Sequence, residues 1–492
     1  MLFTSLVFLF LFLPFTLPGF LLILPGLRKP LLLVASLVFC AWGGVSYVSI
    51  LIAIILSNYL FGILLGASPS PKTRSSWLIM GLLVNVLALL SFKYTSFFQT
   101  NFNILISVFR LNPVHVCHII LPLGISFFTL RGISYLVTVY RQQAPAQRNV
   151  VELGLYIGFF PTLLAGPIER YKDMEPQLAA PFPGLELFAS GVRRFALGLA
   201  KKIIISAPLA SVANQVFGTA MPALNSPLAW LGLISFVLQF YYEFSGYADM
   251  AIGLGRMFGF RFSENFNFPF TARSVSDFRE RWNITLNTWL LDYIFLPLTT
   301  SPLKQPGELP ASRNHSPRSG FAILLIFLLW GFWYGAGWNF IVFGLVFALL
   351  FLLEKTRFGL ALEKSPAVVA RIYTLFFVLM AWVVFRLPDL HTSIHYYKVL
   401  FGIEGARFET GRVLGYFNRE YLLSFILAIA GCTKIFDLAR RKIAGLSEGG
   451  NAKKPAFHAY TIITLLLVVL VLVYSGMTVL SQPSVSLNYF RF

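Results

Sequence analysis

Leu328 to Phe340 reads LLWGFWYGAGWNF, and its one phenol, Tyr334, stands between Trp333 and a Gly335-Ala336-Gly337 break. A phenol of pKa near 10 is protonated about 999 times in 1000 at pH 7. At a reacting centre it therefore donates a hydrogen bond or relays a proton, and it is a poor general base. Trp338 and Asn339 follow the break and complete a wall of aromatic and amide groups. A second polar cluster lies in FRERWNITLNTWLLDYIFLPL, Phe278–Leu298. Ser274 and Asp277 have the spacing of a helix N-cap box. Phe278, Trp282, Thr285, Leu286 and Trp289 recur at helical spacing, which predicts an amphipathic helix at the membrane interface. On it Asp277 and Arg281 form an i,i+4 pair, while Arg279, Asn283 and Asn287 share another face. A carboxamide buried without partners costs several kcal/mol, so Asn283 is either solvated or matched. A third cluster, Glu243, Ser245, Tyr247 and Asp249, ends an apolar run. Carboxylates at membrane depth are functional or paired. Arg256 and Arg261 are the nearest partners in sequence, and a structural ion pair is as good a reading as a catalytic carboxylate.

These residues sit in a chain built for lipid. Of 492 residues 57% are hydrophobic and 12% charged, about half the charge of a soluble domain. The formal net charge of +19 gathers at the ends of apolar runs, which points to topology and anionic headgroups rather than nucleic acid. The first residues lack a basic n-region and a small-residue cleavage site, so they are expected to form a retained spanning helix. Cys40, Cys117 and Cys432 are widely spaced and show neither a metal pattern nor a disulfide framework.

A bilayer core of about 30 Å takes about 20 helical residues. On that ruler, spans fall near 2–25, 31–66, 76–92, 117–139, 150–166, 195–217, 227–254, 320–353, 366–386, 421–438 and 458–480, with 98–109 as a weaker candidate. Gly43 and Gly44 divide the second into two short helices. The expectation is an all-α polytopic protein of about ten to thirteen helices on the same ruler. It is read as one transmembrane domain over 1–492, with 255–319 as an amphipathic helix and cytoplasmic loop region. A continuous helix over 320–353 would run about 50 Å. The Gly-Ala-Gly break therefore places Tyr334 at a helix end inside the membrane, where irregular backbone is tolerated against protein or a wet cavity. A kinked pair of helices carrying an aromatic belt accounts for the same pattern.

Five blocks in this chain resemble the membrane-bound O-acyltransferases, in that family's order. They are Leu121–Arg141, Gly158–Leu178, Tyr241–Phe270, Phe278–Leu298 and Trp330–Gly344. The resemblance is to the alginate O-acetylase branch and its relative, the D-alanyl-lipoteichoic acid transfer protein. It implies a ring of helices around a central funnel in a bacterial cytoplasmic membrane. It also implies an acyl thioester co-substrate, acetyl-CoA or an acyl-carrier protein, with no bound cofactor and no metal. The acceptor would be a hydroxyl of an exported polysaccharide or another extracytoplasmic compound. Implied partners are membrane lipids and either a periplasmic or secreted acyltransferase- or esterase-like protein or a cytoplasmic carrier. Carried over by position, the family's catalytic histidine falls on Tyr334, and the second polar site residue falls on Asn283, where the alginate branch usually has histidine. Trp333, Trp338, Asn339, Glu243, Ser245, Arg281 and Trp282 are then candidate funnel residues.

Two functions follow from Tyr334. In one, the chain transfers an acyl group, with Tyr334 as oxyanion donor or proton relay and Asn283 orienting the acceptor or polarising the thioester carbonyl. In the other, it is a catalytically silent homologue serving as scaffold or acyl-donor conduit. His118 and His315 are the histidines nearest the shared blocks in sequence. A transporter would need internal repeats or charged intramembrane relays, and the sequence shows neither.

Overall fold

The computed structural model describes residues 1–116, 119, 121–179, 183–299, 317–406, 413–435 and 454–481. His118, His315 and Cys117 lie outside them, and the side chain of His458 is likewise not described. Among the described residues the secondary structure is helical, with one isolated antiparallel bridge between Phe266 and Trp282.

Helices α1 (Phe8–Leu22), α2 (Arg28–Ala41) and α3 (Val45–Ala67) open the chain. The division of 31–66 falls at Gly43-Gly44 as the sequence predicts, and Gly44 has φ +149°. Next comes α4 (Pro71–Val108), 38 residues that pass through a π-helical turn at Leu90–Tyr94. The separate candidate at 98–109 is therefore the continuation of the preceding helix. Helices α5 (Ile125–Tyr140), α6 (Val150–Gly158) and α7 (Tyr171–Leu178) lead to α8 (Leu185–Phe217) and α9 (Ser226–Met257). Two short helices follow, α10 (Val275–Arg281) and α11 (Ile284–Leu298). The rest comprises α12 (Pro317–Tyr334), α13 (Trp338–Glu354), α14 (Arg357–Lys364), α15 (Ala367–Arg386), α16 (Leu390–Leu400), α17 (Arg419–Gly431) and α18 (Lys454–Ser481).

Among the described residues five helices are long and apolar enough to cross a bilayer, or six if the bent pair α13 and α14 is one span. Several shorter apolar helices accompany them, including α5, α11 and the apolar part of α12. Helix α9 is the inner one: 83% of its most apolar window is buried in protein, which explains how it tolerates Gln239, Glu243, Ser245 and Asp249 among its buried residues.

The turn between α12 and α13 is a tight hairpin. A Cβ at Gly331 would strike the Phe340 carbonyl, and one at Gly344 the Phe327 carbonyl. Small residues at facing positions let two membrane helices approach backbone to backbone. That approach brings the helix end at Tyr334 against α9 and α15.

Candidate active site

Tyr334 is the last residue of α12. It is 1% exposed, with the rings of Trp330, Trp333, Phe240, Phe343 and Phe385 around it. The Trp282 indole Nε1 donates to the Tyr334 Oη at 3.0 Å. The Asn283 carboxamide lies beside the same phenol as a further hydrogen-bond partner. Two consecutive residues of the α10–α11 corner thus meet one residue of the α12–α13 hairpin, across 52 positions of sequence.

The α10–α11 segment differs from the single interfacial helix that the spacing predicts. The Ser274 cap and the Asp277–Arg281 pair are present. The helix then breaks at Trp282–Asn283, and Asn283 adopts a left-handed conformation, φ +46°, ψ +54°. Asparagine and histidine are among the few side chains enriched there, so the backbone itself favours Asn283 at this corner. The break is paired from outside. Asn267 N donates to Arg281 O at 3.0 Å, Ile284 N to Asn265 O at 2.9 Å, and Asn287 Nδ2 to the carbonyls of Arg279 and Trp282 at 2.6 Å each. Phe278, Arg279, Trp282, Asn283, Leu286, Asn287 and Trp289 are all buried, so this corner sits inside the protein and not flat on an interface. The shared face assigned to Arg279, Asn283 and Asn287 does not survive the break.

The helix end at Tyr334 is held by a residue that the candidate set lacked. A helix leaves its last four carbonyls without intrahelical partners. Lys93 Nζ donates to Trp333 O at 2.5 Å and to Ser126 Oγ at 3.2 Å, and Tyr94 Oη donates to Phe332 O at 2.9 Å. Both residues belong to the π-helical turn of α4, a feature frequent at functional sites. No carboxylate pairs with Lys93 among the described residues. The sequence carried a signal for it: a lysine inside an apolar run is a functional candidate by default.

The remaining candidates divide. Trp333 is half-buried and packs edge-on against Phe127. Together with Lys93, Ser126 and Phe244 it lines a small cavity of about 30 Å³. Asn339 Nδ2 donates to Leu387 O at 3.2 Å. With Gly337, Phe340, Phe385 and Arg386 it lines an open cavity of about 380 Å³ at the Gly-Ala-Gly bend. Phe385 forms part of that wall and its ring centroid is 5.4 Å from that of Tyr334. Of Trp333, Tyr334, Trp338 and Asn339, expected to wall one cavity, only Asn339 lines this one, and Phe385 in its wall packs against the phenol. Trp338 does not join the site: it is 58% exposed and its indole donates to Asn101 Oδ1. Arg281 is occupied by Asp277 on the outer side of α10.

Glu243 and Ser245 also fall outside the Tyr334 cluster. Glu243 pairs with Lys202 at 3.0 Å and accepts from Ser206. Ser245 accepts from Lys201 at 2.8 Å. Asp249 pairs with Arg194 and Lys201 at 2.6 Å each. The partners come from α8, not from Arg256 and Arg261 as chain proximity suggests, because α8 lies along α9 for its whole buried length. His391 and His395 pack on each other, with His395 on Glu404, and neither is part of this site.

Residues 78–393 match the family described as MBOAT, membrane-bound O-acyltransferase family. This chain belongs to the membrane-bound O-acyltransferase family. The probable alginate O-acetylase AlgI of Azotobacter vinelandii is 37% identical over 403 residues, 82% of this chain and 78% of that protein. The peptidoglycan O-acetyltransferase of Helicobacter pylori is 34% identical over 441 residues, 82% of this chain and 80% of its own. The teichoic acid D-alanyltransferase of Bacillus subtilis is 29% identical over 249 residues, 48% of this chain and 60% of its own. The chain is thus a multi-pass membrane protein of an acyltransferase family, and the family match spans both the α10–α11 corner and the α12–α13 hairpin that meet at Tyr334.

Proposed function

We propose that this O-acyltransferase family member moves a short acyl group from a cytoplasmic thioester to a hydroxyl of an exported polysaccharide, in a bacterial cytoplasmic membrane. The observation that supports this most directly is the meeting of Trp282, Asn283 and Tyr334 around one phenol oxygen. In the reaction the acceptor oxygen attacks the thioester carbonyl carbon, the C–S bond breaks, and the hydroxyl proton ends on the departing thiol. The phenol oxygen accepts from Trp282, so its own proton is free to be donated. Aimed at the thioester carbonyl oxygen, that proton stabilises the charge that develops as the acceptor attacks. Asn283 orients the acceptor or polarises the same carbonyl. Phe385 must swing aside for a substrate in the 380 Å³ cavity to reach the phenol. The gain comes from positioning two substrates and from a fixed donor, without an imidazole base. The donor is acetyl-CoA or an acyl-carrier protein, and an esterase-like extracytoplasmic protein is the implied partner. The decisive measurement is acyl transfer in membranes containing Tyr334→Phe. This variant should lose transfer, while Tyr334→His should keep or raise it, and normal transfer by the Phe variant removes the role given to Tyr334.

The sealing of the phenol favours a second reading, a silent homologue that scaffolds or conducts the donor for another enzyme. Thioester consumption by the purified protein separates the two. Turnover that depends on Asn283 rejects the silent reading.

A further inference from the structure

Arg256 and Arg261, the arginines that chain proximity offers to Glu243 and Asp249, are used elsewhere. With Arg193 they line an open cavity of about 630 Å³. Three segments supply them: Arg193 comes from α8, Arg256 from the last turn of α9, and Arg261 from the chain beyond α9. Packing holds these segments in place. A Cβ at Gly191 would strike the Gly253 carbonyl, so α8 and α9 touch backbone to backbone close to Arg193 and Arg256. A Cβ at Gly255 would strike the Phe262 ring, so the chain after α9 folds back over that helix and buries Phe262. Gln177 on α7 clamps the Arg261 backbone, accepting from its N at 2.7 Å and donating to its O at 3.2 Å.

The cavity is cationic. The Arg193 and Arg261 side chains are exposed and have no ion pair or hydrogen bond among the described residues. Arg256 reaches one carboxylate, Glu264, at 4.0 Å, and Arg194 already holds the other oxygen of that group. Arg194 and Arg261 stand near enough to repel Arg256. The lining also holds one carboxylate, Glu186 in the first turn of α8, where the helix dipole favours it. It pairs with none of the three arginines among the described residues. Three positive charges against one negative leave an excess that a bound anion would relieve.

The rim of the cavity says where that anion comes from. Leu185 on the rim is 84% exposed, and Leu197, one helical turn beyond Arg193 on the same face of α8, is 49% exposed. Helix α8 is long and apolar enough to cross a bilayer, so these leucines face lipid tails and Arg193 stands beside them at headgroup level. Basic recesses between spanning helices suit acidic lipid headgroups, and a guanidinium fork meets two phosphate oxygens at once. A soluble phosphate ester would meet the same arginines but gain nothing from the apolar rim.

We propose that Arg193, Arg256 and Arg261 form a phosphate-binding site for the headgroup of an anionic phospholipid, whose acyl chains lie along Leu197. No part of the Tyr334 cluster contributes to this site, so it stands whether or not the protein transfers acyl groups.

The test is native mass spectrometry of the purified full chain in detergent, which resolves bound lipids by mass, during titration with phosphatidylglycerol or phosphatidylcholine. Wild type is expected to bind phosphatidylglycerol at least about tenfold more tightly. Each arginine removed should weaken that binding about fivefold, so Arg193→Gln combined with Arg261→Gln should weaken it about thirtyfold. Because both side chains are exposed and unpaired, this double variant should melt with wild type when lipid-free. Arg148→Gln combined with Arg357→Gln removes the same charge from exposed positions elsewhere and should leave lipid binding unchanged. Equal binding of the two lipids overturns the proposal, as does equal loss in both double variants or no loss in the first. A lower melting temperature in the first double variant, with its loss of binding, also counts against the site. Coenzyme A is titrated as the soluble source of phosphate. If it displaces phosphatidylglycerol from wild type and fails to bind the first double variant, the arginines serve the soluble ester and the lipid assignment is wrong.

Discussion

The α8–α9 seam and the α10–α12 junction both bury polar groups among apolar helices, and they handle charge differently. On the seam every buried carboxylate meets a cation from the neighbouring helix: Glu243 with Lys202, and Asp249 with Arg194 and Lys201. At the junction the buried cations Lys93 and Arg279 have no carboxylate within hydrogen-bond distance among the described residues, and the central group is a neutral phenol. Paired charges hold helices together and leave nothing for a ligand. A hydrogen-bonded phenol and a lysine held by carbonyl and hydroxyl oxygens instead of a carboxylate are an arrangement that a developing negative charge would complete. The conspicuous acidic residues of α9 are thus the structural ones, and the proposed site is centred on a neutral phenol.

This contrast can be broken from either side. The largest effect is expected on the seam. Asp249→Ala leaves Lys201 without a carboxylate while Arg194 keeps Glu264, and breaking a buried pair from one side costs about 3–5 kcal/mol. Thermal unfolding in detergent should show a fall of that order. A melting temperature unchanged by Asp249→Ala would show that the seam is not held by charge. At the junction, Tyr334→Phe should lower acyl transfer about 10²–10³-fold, the usual loss for one fixed oxyanion donor, and cost about 1–3 kcal/mol of stability by leaving the buried Trp282 N–H unmatched. A stability loss with unchanged transfer would make the phenol structural, like the seam. Lys93→Met is expected to cost about 1–3 kcal/mol, the penalty for leaving the Trp333 carbonyl buried and unmatched, together with a fall in turnover larger than any change in substrate affinity. If affinity falls alone, Lys93 contacts substrate and does not merely hold the helix end. The smallest effect belongs to Phe385→Leu, which should raise access to Tyr334 from the 380 Å³ cavity. Solvent exchange or chemical labelling of the phenol is the readout, and an unchanged labelling rate would mean that Phe385 is not the barrier.

Several of these elements were legible in the residues. The helix end at Tyr334 followed from a 34-residue apolar stretch too long for the bilayer and from glycines that weaken its middle. The Ser274 cap and the Asp277–Arg281 pair followed from spacings of three and four, because one helical turn brings such residues together whatever surrounds them. The break at Asn283 was not legible: the aromatic spacing continues through it, and the left-handed turn is held by Asn265 and Asn267 from a separate segment. Lys93 could be flagged as a lysine in an apolar run, but its role could not be read, because its carbonyl partner is 240 residues away.

By itself the sequence determined the membrane class, the family blocks, the helix interruption before Gly335 and the identity of the phenol there. All of these depend on hydropathy, local spacing or residue type, which the chain carries without folding. Only the tertiary structure decided that Trp282 and Asn283 meet Tyr334, that Lys93 holds its helix end, and that Glu243 and Asp249 pair with cations of α8. Those contacts join segments tens to hundreds of residues apart, and close packing of helices, not periodicity along any one of them, selects which side chains come within hydrogen-bond distance.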